Sequence, residues 1–279
     1  METKRVMSIA VGYKEIVGII CYMLEGTLVI ENVVSKPRRG TILQDVEEFF
    51  GLYGDESIPV ACVQEGPLRA VCLETPRMDK LDQFLFSRQE GHRQFEEGEV
   101  EMAIDFASRP HGKNMLMLIV ALERKKVRAM ARGIQSGNGD IHLIDYWTDP
   151  LVHSRGKEES MLFVVGEKKG IRVSLWSRTF CLAHRLVTAE PEVVLEACHV
   201  LLQEGEPFEV PHPKGVAIVG LGPEAEETYE RVLQEYGVLE PIDVHVVDQG
   251  HDYDPTNLVH EMAMGLGRRL IAYVDRYEY

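Results

Sequence analysis

Apolar runs broken by short polar turns fill the first 34 residues of the chain. VMSIAV (6–11), IVGIICYM (16–23) and TLVIENVV (27–34) read as three strands. The first two are joined by Gly12-Tyr13-Lys14-Glu15 and the second pair by Glu25-Gly26. Connections this short favour an antiparallel meander. The pattern returns as SMLFVVG (160–166), IRVSLW (171–176) and TFCLAHRL (179–186), with EKKG and SR as turns. The first strand closes on Gly12 in one copy and on Gly166 in the other, so the repeat divides the chain near its middle.

Each meander is followed by the same kind of segment. After the second comes a helix over EPEVVLEACHVLLQEG, then a strand GVAIVG (215–220). A helix over 223–236 follows, with Ala225, Tyr229, Val232, Leu233 and Tyr236 on one face. A strand IDVHVV (242–247) and a long helix with Val259, Met262, Leu266 and Leu270 inward complete the half. The first copy has a helix carrying Val46, Phe49, Phe50 and Tyr53. Its expected fourth strand is MLMLIVAL (115–122), followed by a helix with Val127, Met130, Ala131 and Ile134 inward and a fifth strand IHLIDYW (141–147). Residues from about 55 to 113 are too many for a loop of a compact domain. They contain IPVACV, LRAVCL and a helix around LDQFLFSRQE, and read as an inserted subdomain. The expected domains are therefore 1–156, carrying that insertion, and 157–279. Two βββαβα halves of this order are the layout of the α/β actin-like (ribonuclease H-like) fold.

Composition narrows the function. A formal charge of −15, from 45 acidic against 30 basic residues, argues against a nucleic-acid partner. An acidic body suits a basic peptide instead. The 5 cysteines (Cys21, Cys62, Cys72, Cys181, Cys198) form no C-x-x-C and sit in apolar runs, as free buried thiols of a reducing cytoplasm do. METKRVMSIAVGYKEI has too short an apolar run for a signal peptide. No stretch approaches the ~20 apolar residues of a membrane helix, so no direct membrane insertion is expected.

Within the actin-like superfamily the chain resembles PilM, the cytoplasmic actin-like protein of type IV pilus assembly. The likeness is carried by MSIAVGYKEIVGII, by ETPRMDKLDQFLFSRQEGHRQF in the inserted subdomain, and by SMLFVVGEKKGIRVSLWSRTFCLAHRL at the second meander. The stretch MLMLIVALERKKVRAMARGIQSGNGDIHLIDYWTDPLVHSRG is the most family-like. GVAIVGLGPEAEETYERVLQEYGV and HEMAMGLGRRL resemble the later strand–turn–helix and the closing helix. The resemblance implies a cytoplasmic scaffold recruited to the inner face of the cell membrane. Its implied partner is the cytoplasmic N-terminal tail of a PilN-like single-span membrane protein, bound in a groove whose residues the sequence does not name. Self-association stays open.

The resemblance also implies a nucleotide gripped by the first turn of each meander. Candidate nucleotide-binding residues are Gly12, Tyr13 and Lys14, Gly166, Glu167 and Lys168, and Gly220 and Gly222 before a helix start. Active members carry an acidic residue two positions before the turn glycine. Here those positions are Ala10 and Val164, which offer a magnesium ion no ligand. Phosphoryl transfer without the metal loses its main electrostatic support, so a pseudo-ATPase with no catalytic residue and no metal is expected. ATP binding without turnover stays open. Lys14, Lys168 and Lys169 read first as solvated turn residues, ahead of any phosphate role, and Gly220 and Gly222 read equally as glycines required by backbone angle.

Other constellations are weaker. No histidine pair has H-x-x-x-H or H-x-H spacing. Asp149, His153 and Ser154 lack a nucleophile elbow. DQGHDYDPTN (248–257) lacks the glycine and closing glutamate of a calcium loop. The alternative function is an ATP-binding or ATP-hydrolysing enzyme, an ATPase or sugar-kinase-like phosphotransferase, for which Asp145 and Asp248 are the substitute carboxylates. A cell-division filament protein would need a basic amphipathic C-terminal helix, and the chain ends YVDRYEY.

Overall fold

Strand β1 (Val6–Val11) is buried at all six positions because both faces of its sheet are covered. The computed structural model describes residues 4–95, 100–146, 151, 160–209, 211, 213, 215–235, 240–241, 247–248, 253–254 and 257–277. Strand β1 pairs antiparallel with β2 (Glu15–Leu24), which pairs antiparallel with β3 (Thr27–Pro37). On its other side β1 runs parallel to β4 (Val60–Gln64). Odd positions Met7, Ile9 and Val11 join a core with Val46, Phe49 and Phe50 of α1 (Ile42–Tyr53) and Met130 and Ile134 of α3 (Arg124–Ser136). Even positions face the closing helix α6 (Leu258–Tyr277), where a Cβ on Gly267 would lie 2.6 Å from Cys21 Sγ and 3.4 Å from Ser8 Oγ. Thr41 and Gln44 start α1 with a reciprocal capping box.

The first sheet is ordered β14-β3-β2-β1-β4-β8, with β8 at Ile141–Tyr146 and β14 at Val247–Asp248. The second is ordered β11-β10-β9-β12-β13. It comprises β9 (Ser160–Glu167), β10 (Gly170–Ser177), β11 (Phe180–Val187), β12 (Gly215–Val219) and β13 (Glu240–Pro241), with α4 (Pro191–Gly205) and α5 (Pro223–Glu235). Both sheets place a first strand centrally, antiparallel to the second and parallel to the fourth. The duplication expected from the meanders is therefore present in the strand pairing as well.

The inserted sheet is ordered β5-β7-β6, from β5 (Ala70–Thr75), β6 (Met102–His111) and β7 (Asn114–Glu123), with α2 (Lys80–Phe95) packed on β6 and β7. This corrects two expectations. MLMLIVAL is not the fourth strand of the first half: it is β7, antiparallel to both β5 and β6. The fourth strand is β4, parallel to β1 and β8. The segment 55–113 is accordingly misplaced at both ends, since 60–64 belong to the main sheet and 114–123 to the inserted one. Both runs are continuous and apolar, and periodicity alone cannot rank two buried strands. Strand β6 escaped notice because it is polar and holds Pro110, which an edge strand tolerates.

The chain forms two compact units. One comprises Met1–Leu68, Arg124–Gly156 and Asp243–Tyr279, the other Arg69–Glu123 and Lys157–Ile242. The expected boundary at 156 differs at two places. The inserted sheet groups with the second meander, and α6 groups with the first because it packs on β1, β2 and β4. Most of the expected strand at 242–247 and the helix residue Tyr236 lie outside the described residues.

Candidate functional site

The β1–β2 turn is held by the chain's own groups. The Gly12 amide donates to the Glu15 carbonyl at 2.9 Å, closing a tight hairpin. The Tyr13 amide donates to Glu65 Oε2 at 3.1 Å. Glu65 reaches it because β4 runs parallel to β1 and the Glu65 amide continues that ladder onto the Val11 carbonyl at 2.9 Å. The Gly12 carbonyl accepts from Arg38 Nη1 at 2.9 Å, and the Lys14 carbonyl accepts from the Arg38 amide at 2.8 Å. Arg38 Nε in turn donates to Asp45 Oδ2 at 2.8 Å. Burial opposes ionisation of Asp45, but the guanidinium and the Arg39 and Gly40 amides outweigh it and hold its carboxyl below the usual range. Gly12 itself is required by packing: a Cβ there would lie 2.5 Å from Val259 Cγ2 at the start of α6. The side chains of Tyr13 and Lys14 are exposed.

The β9–β10 turn is built differently. Gly166 touches the loop after β12, where a Cβ would fall 2.3 Å from the Gly220 carbonyl oxygen. The structure thus brings Gly166 and Gly220 together. Glu167 is turned onto Arg172, with Nε to Oε1 at 2.7 Å and Nη2 to Oε2 at 3.3 Å. Arg172 is buried and also meets His184 Nδ1 at 3.0 Å, while His184 Nε2 meets the Ala70 carbonyl of β5 at 3.0 Å. Burial, reinforced by the Arg172 charge, pushes His184 down to about 4, although the Ala70 carbonyl favours its protonated form. At neutral pH the imidazole is therefore uncharged, accepting from Arg172 and donating to Ala70. Lys168 and Lys169 are exposed at the tip.

Gly220 and Gly222 adopt φ of +77° and +81°, conformations that call for glycine. Between them the Leu221 amide donates to Glu226 Oε1 at 3.2 Å, and the Glu226 amide donates to the Gly222 carbonyl at 2.9 Å. A carboxylate from the first turn of α5 thus sits at the α5 N-terminus, where an external anion would otherwise be favoured.

Ala10 and Val164 are fully buried, paired with Val17 and Val63 and with Val173 and Ile218 respectively. Neither offers oxygen to a cation, so these residues do not fit a magnesium–nucleotide complex. Among the described residues no group of three or more His, Cys, Asp or Glu side chains is placed to hold a metal. Asp145 is 3% exposed and faces Arg269 Nη1 across 2.8 Å, while its Oδ1 accepts from the Tyr146 amide at 2.8 Å. The side chain of Asp248 lies outside the described residues, as do Asp149, His153, Ser154 and most of 248–257. All five cysteines are free, and burial pushes Cys21, Cys62 and Cys198 up to about 12.

Glu65, Glu226, Arg38 and Arg172 are missing from the sequence reading. Glu65 had a signal: it follows VACVQ directly, and placing that strand beside β1 brings Glu65 to Gly12.

Helix α2 presents a second feature. It buries Ser87 and Gly91 against the inserted sheet, where a Cβ on Gly91 would lie 2.7 Å from Ile104 Cγ2. Gln83 also turns to that sheet, accepting from Ser108 Oγ at 2.8 Å. The outward face carries Leu81, Phe84 and Leu85, exposed to 66%, 47% and 54%. Its polarity is inverted relative to an ordinary surface helix.

The strand order and its duplication define the class: this is a protein of the actin-like fold. No protein-family model matches the chain, and no curated protein matches it. Solved structures do. The chain is similar to a structure described as the PilM-PilN type IV pilus biogenesis complex, with a TM-score of 0.67 and 13% identity over 95% of this chain and 98% of that one. It is also similar to a Bacteroides thetaiotaomicron protein of actin-like ATPase fold and unknown function, with a TM-score of 0.52 and 12% identity over 94% of this chain and 95% of that one. The cytoplasmic domain of EpsL, an inner membrane component of the Vibrio cholerae type II secretion system, gives a TM-score of 0.52 and 14% identity over 97% of this chain and 95% of that one.

Proposed function

We propose that this protein is a non-catalytic scaffold of a type IV pilus or related secretion platform, recruited to the inner face of the membrane by a PilN-like protein. The observation that carries this reading is the Glu65 carboxylate on the Tyr13 amide. A phosphate seeking that donor meets a fixed negative charge, and Ala10 supplies no carboxylate to bring a compensating metal. Glu226 on the Leu221 amide repeats the arrangement at the glycine loop. The likeness in fold to the PilM-PilN complex and to the EpsL cytoplasmic domain supports an assembly role. No described helix is long and apolar enough to cross a membrane, so attachment through a partner is consistent with the chain.

The partner's cytoplasmic N-terminal tail docks on the Leu81–Phe84–Leu85 face of α2. Three large apolar side chains one helical turn apart are the anchors that helix and peptide recognition uses. The test is fluorescence anisotropy of a labelled tail peptide with the full chain. Binding to the wild type and a loss of at least about tenfold in Leu81→Ser/Leu85→Ser are expected. No affinity for the wild type, or equal affinity for the variant, counts against this docking face.

A further inference from the structure

Helix α3 concentrates the charge that the rest of the chain lacks. Its sequence RKKVRAMARGIQS holds Arg124, Lys125, Lys126, Arg128 and Arg132 and no carboxylate, in a chain of formal charge −15. Met130, Gly133 and Ile134 are buried, and a Cβ on Gly133 would lie 2.8 Å from Val46 Cγ1 of α1. Lys125, Arg128 and Arg132 follow the i, i+3, i+7 spacing of one helix face and are exposed. Among the described residues their side chains make no hydrogen bond or ion pair.

The helix dipole gains nothing from cations at this end. The N-terminal end of a helix carries partial positive charge, so cations in the first turn weaken it and carboxylates strengthen it. Asp45, Asp82, Glu192, Glu224 and Glu261 stand in the first turns of α1, α2, α4, α5 and α6. Helix α3 instead opens on Arg124-Lys125-Lys126, with no acid. The stripe also lacks what a protein partner would grip, because no large apolar side chain of α3 is exposed among the described residues. Protein interfaces are apolar at their centre and depleted in lysine. An anionic bilayer needs no apolar anchor, since each cation adds its own attraction to the surface. That attraction dies away within a Debye length of about 8 Å, so distant carboxylates of the same chain do not cancel it. On the adjoining α1, Glu48 is held by Lys36 and Asp45 by Arg38, which leaves Glu47 as the exposed counter-charge beside the stripe.

We propose that the outward face of α3, centred on Lys125, Arg128 and Arg132, lays this protein against an anionic phospholipid surface as a peripheral contact without insertion. The proposal stands on charge placement and does not rest on the scaffold reading.

The test is cosedimentation of the full chain with phosphatidylglycerol–phosphatidylcholine vesicles, with pure phosphatidylcholine vesicles and with a soluble poly-glutamate peptide. The chain should partition onto the anionic vesicles alone and leave them as salt is raised. The variant Lys125→Gln/Arg128→Gln/Arg132→Gln should lower that partition about 100-fold, roughly fivefold per cation. Its thermal midpoint should not fall, because one adverse first-turn charge is removed. No binding to anionic vesicles at low salt, or equal binding by the variant, overturns the proposal. Binding of poly-glutamate through the same residues without vesicle binding also overturns it and assigns the face to an acidic protein.

Discussion

Two glycines of the candidate turns, Gly12 and Gly166, are fixed by what lies next to them. A Cβ on Gly166 would sit 2.3 Å from a backbone oxygen of Gly220, which no rotamer change can relieve. Gly166→Ala should therefore destabilise the protein by about 1–3 kcal/mol in chemical denaturation. Gly51→Ala, inside α1 with nothing within 4 Å of the added Cβ, should stabilise by about 0.5–1 kcal/mol. Equal effects at the two positions would refute the crowding argument. His184 makes a prediction of opposite character. Its folded value lies near 4 against 6.5 for a free imidazole, so the unfolded chain binds the extra proton between those pH values. Stability should be complete above pH 6.5 and decline as pH falls toward 4, by up to about 3 kcal/mol. Denaturation across that range should show the slope in the wild type, and His184→Gln should lose it.

Among the elements, the two meanders were legible because apolar runs joined by very short turns announce antiparallel strands. The fourth strand of the first half was not. VACVQ is short, and MLMLIVAL is longer and more apolar, so hydrophobicity pointed to the wrong run. Pairing with β1 decides the matter, and pairing is a long-range property that the local pattern does not contain. The same displacement hid Glu65, whose position beside Gly12 follows only once β4 lies next to β1. Positions with a local cause, such as the glycines at Gly220 and Gly222, could be read directly. Helix α2 shows the reverse case: its Leu81, Phe84 and Leu85 look like core residues in sequence, yet they point outward because Gly91 and Ser87 permit the close approach to Ile104 and β6. Leu81→Ser/Leu85→Ser should accordingly leave the denaturation midpoint almost unchanged, within about 0.5 kcal/mol, while lowering affinity for the proposed tail peptide at least about tenfold. A large loss of stability would place those residues in the core instead.

Taken as a molecule, the chain keeps the duplicated actin-like topology while both copies hold apolar residues, Ala10 and Val164, where the resemblance expects carboxylates. The glycine turns persist for reasons of packing: Gly12 against Val259 of α6, Gly166 against Gly220. Selection for close approach of helix and loop is sufficient to retain them without a nucleotide. Each unit holds its glycine turn with a carboxylate of its own, Glu65 in one and Glu226 in the other, and each presents an outward helix face, α3 in the first and α2 in the second. The most direct test is calorimetric titration of the full chain with ATP, with and without magnesium, alongside a phosphate-release assay. The account predicts no magnesium-dependent gain in affinity and no phosphate release above background. Tight magnesium-dependent binding with steady turnover would contradict it.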